Sequence, residues 1–85
     1  MTDEQLLTIK KILNAEEMHY YYHDYNNRNE KRVCYTVRER DNSDYYTITF
    51  LIKNKRIELT MYDIKSLSAE QYRKIVKCCD LLGWE

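Results

Sequence analysis

Between Tyr46 and Met61 the apolar side chains recur at every second position. They run Tyr46, Ile48, Phe50 and Ile52, and then, past Asn54-Lys55, Ile57, Leu59 and Met61. A period of two places each set on one face of a strand. Two such runs flanking Asn54-Lys55 read as a β-hairpin with a two-residue turn. That turn length predicts the pairs Ile52 with Ile57, Phe50 with Leu59 and Ile48 with Met61, with both apolar sets on a shared face. A slip of one residue would turn one strand's apolar set to water, so the register is strongly specified. The opposite face carries Thr47, Thr49, Leu51, Glu58, Thr60 and Tyr62 and is expected to be largely solvated. Asn-Lys is a weaker turn than Asn-Gly, since Lys gains nothing at positive φ.

The rest of the chain is predicted around this hairpin. Thr2-x-x-Gln5 has capping-box form, and Asp3 and Glu4 fall in the first turn, where the helix dipole favours negative charge. Leu6, Ile9 and Leu13 follow as a buried stripe, widened by Leu7 and Ile12. A helix over about 2–22 is expected, and Asp24 to Asn29 supplies the turn-forming residues of a loop. Residues 32–40 alternate again, with Val33, Tyr35 and Val37 on one side, and predict a strand. The hairpin strands are expected over 45–53 and 56–62. A second helix is expected over 68–82, with Ser68-x-x-Gln71 as its cap, Leu67 and Tyr72 as staple residues and Gly83 as its stop. Its stripe reads Tyr72, Ile75, Val76, Cys79 and Leu82, and Trp84 is expected to fold back onto Cys79. The order is α-β-β-β-α, a single small α+β domain over 1–85 with a three-stranded antiparallel meander and two helices packed on one face.

Eighty-five residues suffice for one core without disulfides or metals. Fourteen acidic and fourteen basic side chains cancel, so no overall charge steers the chain towards nucleic acid or an anionic membrane. No run of about eighteen apolar residues occurs, so no transmembrane helix is expected. The opening Thr2-Asp3-Glu4 has the wrong sign for a secretory leader, so the expected location is cytoplasmic. Three cysteines, two of them adjacent, fit reduced thiols better than a disulfide framework. Asn, Lys, Ile and Tyr supply 30 residues while Gly, Ala and Pro supply three. The favoured types have AT-rich codons, which points to a low-GC bacterium or one of its phages or plasmids. Nine tyrosines against one Phe is the physically informative bias, because Tyr is enriched at protein interfaces.

Catalytic patterns are sparse. His19 and His23, with Glu16 three residues before, would line one face if the first helix ran that far. The run His-Tyr-Tyr-Tyr-His lacks the Glu that a helical zinc protease places after its first His, so no metal is expected. On the helical stripe Cys79 is expected in the core, with Cys78 beside it near Lys74 and Lys77, which would lower a thiol pKa. Neither has a nearby His, so no catalytic thiol is expected. Gly83 is the one glycine, which excludes a Gly-rich phosphate loop. Asp63 has no second carboxylate at a defined spacing. No catalytic residue and no cofactor are expected.

Two surfaces remain. Arg38, Arg40, Lys53, Lys55 and Arg56 form the basic set that a nucleic-acid-binding domain would use, through the hairpin tip and the open sheet face. Against it stands the net charge of zero. Tyr20, Tyr21, Tyr22 and Tyr25 cannot all reach a core from one short stretch, so some are expected at the surface as anchors, with Asp24 and Arg28 as a polar rim. The α-β-β-β-α order is similar to that of double-stranded-RNA-binding domains, which would imply RNA contact by the last helix. That helix starts here with Ser68-Ala69-Glu70-Gln71-Tyr72-Arg73-Lys74 rather than a Lys-rich, Ala-rich stretch. A three-stranded sheet followed by a helix is also similar to the DNA-binding arm of some phage-type integrases. The expected function is a small non-enzymatic protein-binding module, an inhibitor of the kind carried by phages or mobile elements (anti-CRISPR or anti-restriction type). It would occupy the surface of a host enzyme or nuclease complex. Nucleic-acid binding is the alternative.

Overall fold

A computed structural model describes residues 2–25, 28–38, 45–62 and 66–84, and the side chains of all of these except 20–25 and 28–30. The chain is an α+β domain of α1 (Asp3–Leu13), β1 (Glu17–Tyr25), β2 (Arg28–Arg38), β3 (Tyr45–Leu51), β4 (Arg56–Tyr62) and α2 (Ala69–Leu82). The strands form one antiparallel meander in the order β1-β2-β3-β4. The sheet therefore has four strands, not three, and the α-β-β-β-α order behind the likeness to RNA-binding domains does not hold.

The extra strand comes from the segment expected to extend the first helix. The start of α1 is as predicted: the Thr2 hydroxyl accepts from the Gln5 N–H, and the Gln5 side chain accepts from the Thr2 N–H at 3.0 Å. The helix stops at Leu13 rather than near Tyr22 because Asn14 takes the left-handed conformation, with φ +53°. Asn is one of the few residues that cap a helix in this way. Beyond it lies a Tyr- and His-rich run whose rings favour a pleated strand over a helix, and residues 17–25 pair along their length with 28–36.

Between β3 and β4 the alternation is as expected but the register is not. Phe50 pairs with Ile57, Ile48 with Leu59 and Tyr46 with Met61, a shift of two residues. Both registers keep the same side chains inward, so the apolar pattern cannot choose between them. The turn chooses. A two-residue type I′ turn needs positive φ at both positions, whereas here residues 52–55 form the connection and only Lys55 has positive φ, +54°.

The core lies between the sheet and both helices. Leu6, Ile9 and Leu13 of α1 and Ile75 and Cys78 of α2 pack with Val33, Tyr35, Val37, Tyr46, Ile48 and Phe50, and the two helices touch each other. Two buried tyrosines tie the layers together through their hydroxyls. Tyr35 donates to the Leu6 carbonyl and Tyr46 to the Gln71 side chain, each at 2.8 Å. Gln71 is thus drawn to the sheet, while its backbone N–H takes the Ser68 cap. The inward face of α2 is Ile75–Cys78–Leu82, rotated from the predicted stripe, and Tyr72 and Val76 are 50% and 56% exposed. Gly83 ends α2 at φ +72° with the paired hydrogen bonds of a Schellman motif. The Trp84 ring turns to Phe50, at 5.8 Å between centroids, while the Trp84 backbone N–H donates to the Cys79 carbonyl.

Candidate protein-binding surface

Five of the six residues expected at an interface, Tyr20, Tyr21, Tyr22, Asp24 and Tyr25, lie on β1, and Arg28 opens β2 opposite Tyr25. The structure thus brings all six onto one two-stranded ribbon. Its length follows from a mismatch between strands. β2 has eleven residues, but β3 has seven and pairs only with Arg32 to Arg38. Beyond Lys31, which the Ile52 N–H still reaches, the pairs from His23–Glu30 to Tyr25–Arg28 therefore run on with no third strand among the described residues beside them on the β3 side, for about 10 Å. A two-stranded ribbon gains little stability alone. Nothing in the sheet's own ladder requires the arm to be this long.

On a strand, His19 and His23 are about 13 Å apart rather than one helical turn, so they cannot share an ion within one chain. His19 instead lies 3.2 Å from Glu17. Among the described residues no group of three His, Cys, Asp or Glu is placed to hold a metal.

The basic set is split. Lys53, Lys55 and Arg56 are exposed around the β3–β4 connection, but Arg38 sits opposite Tyr45 at the other end of β3, about 20 Å away. Arg40 and Asp63 lie outside the described residues. Arg38 is also engaged: its Nε donates to Glu16 at 2.7 Å, and its guanidinium lies 5.2 Å from the Tyr45 ring centroid. Tyr45 in turn stacks on Tyr62, 4.4 Å apart and 12° from parallel. This end of the open face is closed into a ladder of its own. At the other end, Arg32 reaches from β2 to within 4.0 Å of Glu58 on β4, and so crosses over β3. Thr49 and Leu51 beneath that path are buried, contrary to the expectation of a fully solvated face.

The cysteine assignment also reverses. Cys78 is buried and Cys79 half-buried, because the α2 face is rotated. Burial, with the neighbouring Cys79, pushes the Cys78 thiol up to about 12 and outweighs Lys77. It is a core residue and not a nucleophile at neutral pH. Among the described residues no helix is long and apolar enough to cross a membrane. Comparison with known proteins returns no matching family model, no similar curated protein and no similar solved structure.

Proposed function

We propose that this chain is a non-enzymatic protein-binding module that works through the β1–β2 arm. In this reading it is an inhibitor of the mobile-element type that blocks a host enzyme by covering part of its surface. The observation that carries the reading is the arm itself, four tyrosines along a β1–β2 ribbon whose tip, with Tyr25, outruns the third strand. Tyr anchors supply large contact area at low entropic cost, and a few such side chains dominate most interfaces. The split and partly ion-paired basic set favours this over nucleic-acid binding.

The test is capture from a low-GC bacterial lysate on the tagged full chain, followed by affinity and melting measurements on Tyr21→Ala, Tyr22→Ala and Tyr25→Ala. A protein is expected to be recovered. At least one variant should weaken its binding about tenfold or more with the melting temperature nearly unchanged, because an anchor truncation typically costs about 2 kcal/mol or more. The reading fails if all three variants lose stability in step with affinity, or lose neither. It also fails if the captured species is a nucleic acid whose salt-sensitive binding is lost on removing Lys53, Lys55 and Arg56.

A further inference from the structure

We infer that β1 pairs with β1 of a second copy of this chain, antiparallel about a twofold axis at Tyr21, so that two four-stranded sheets join into one. The first observation is the direction of the backbone groups. Ile52 N–H donates to the Lys31 carbonyl at 3.2 Å, which continues the β2–β3 register. Odd-numbered residues of β2 therefore bond towards β3, and even-numbered ones towards β1. The partners of those even residues are Glu17, His19, Tyr21, His23 and Tyr25. The N–H and C=O groups of Met18, Tyr20, Tyr22 and Asp24 are left pointing away from the sheet, along an edge that no strand among the described residues covers. This edge is nine residues long and contains neither Lys nor Pro, the usual devices against strand addition. The other edge, β4, is shorter at seven residues, and each edge carries two charged side chains, Glu17 and Asp24 on β1 and Arg56 and Glu58 on β4.

The second observation selects the occupant. His19-Tyr20-Tyr21-Tyr22-His23 reads the same in both directions. Antiparallel pairing about Tyr21 sets Tyr20 opposite Tyr22 of the second copy, His19 opposite His23, and Tyr21 opposite itself. Tyr21 is also the midpoint of Glu17–Tyr25, so in this register every residue of β1 has a partner. Outward-pointing residues then meet outward-pointing residues, and about eight hydrogen bonds form between the copies. The carboxylates stay apart, since Glu17 falls opposite Tyr25 and Asp24 opposite Met18. Moving the axis by one residue keeps the hydrogen-bond parity but shortens the pairing and sets His19 opposite Tyr21. A self-matching strand is what a twofold interface requires. The dimer uses a backbone edge and needs no third molecule, so it stands apart from the arm's proposed role in binding another protein.

Sedimentation of the full chain over micromolar to submillimolar concentrations should show a concentration-dependent dimer. Tyr22→Pro removes an outward N–H without costing a bond to β2, and should weaken the dimer at least about tenfold. The matching change on the other edge, Leu59→Pro, should leave it intact. A second measurement does not depend on either proline variant folding. In Tyr21→Cys the two new cysteines face each other in a non-hydrogen-bonded pair with Cα atoms about 4.5 Å apart, within disulfide range. Mild oxidation should link the chains far above the wild-type background, and Tyr20→Cys should not. A monomer at all concentrations overturns the inference. So does a dimer that survives Tyr22→Pro and is lost in Leu59→Pro, or equal cross-linking through positions 20 and 21.

Discussion

Phe50→Ala is the most searching test of the packing. Phe50 is fully buried and sits edge-on to Tyr35 at 5.6 Å between centroids, with Trp84 on another side at 5.8 Å. Truncation forfeits the transfer of the ring, leaves a cavity and breaks both aromatic contacts. Such changes cost about 3–5 kcal/mol, the aromatic pairs included. At 0.05–0.15 kcal/mol per residue, an 85-residue domain has about 4–13 kcal/mol in all. The variant should therefore lose roughly a quarter or more of its stability, a fall in melting temperature on the order of 20 °C. Urea titration should show a lower midpoint with an unchanged slope. Trp84 is the only tryptophan, so its emission reports on the site directly and should shift to longer wavelength in the folded variant. A loss below about 1 kcal/mol, with Trp84 emission unmoved, would mean that Phe50 does not face the helices.

Two further outcomes probe the β3–β4 connection and the core thiol. Lys55→Gly relieves a left-handed non-glycine residue and should stabilise by on the order of 0.5–1 kcal/mol, while Asn54→Gly should not; a gain at both positions would point to the two-residue turn instead. Burial holds the folded Cys78 thiol near 12, above its unfolded value, so its contribution is complete below about pH 8.5 and is lost as pH rises towards 12. Stability between these limits should fall less steeply in Cys78→Ala than in the wild type, and an identical slope would place the thiol in contact with water.

The parts of the fold legible in the sequence are those fixed by a local pattern. The Thr2 and Ser68 caps, the Gly83 stop, the Leu6–Ile9–Leu13 stripe, the inward faces of β2 and β3 and the inward Ile57 and Met61 of β4 each follow from a few neighbouring residues, whereas Leu59, expected inward with them, is 39% exposed. β1 was hidden because its run of Tyr and His has no apolar–polar contrast, so neither period stands out; the usable signal was Asn14, a residue suited to end a helix in the left-handed conformation. The β3–β4 register and the rotation of α2 were not legible for a different reason. Each has two solutions that bury nearly the same kinds of side chain, and tertiary contact decides between them: one positive φ at Lys55 in the first case, and in the second the hydrogen bond from Tyr46 to Gln71 with Cys78 turned inward. The candidate site divides in the same way. Its six residues are neighbours in sequence, so composition alone groups them, but the arm exists only because β3 stops at Leu51 while β2 begins at Arg28. The free edge is likewise a property of the whole sheet, since it follows from a hydrogen bond between Ile52 and Lys31, on the side of β2 away from β1. The palindrome about Tyr21 was visible in the sequence throughout, but on a helix it would mean nothing. It becomes a statement about binding only once residues 17–25 are a strand, at an edge, with the even-numbered backbone groups facing out.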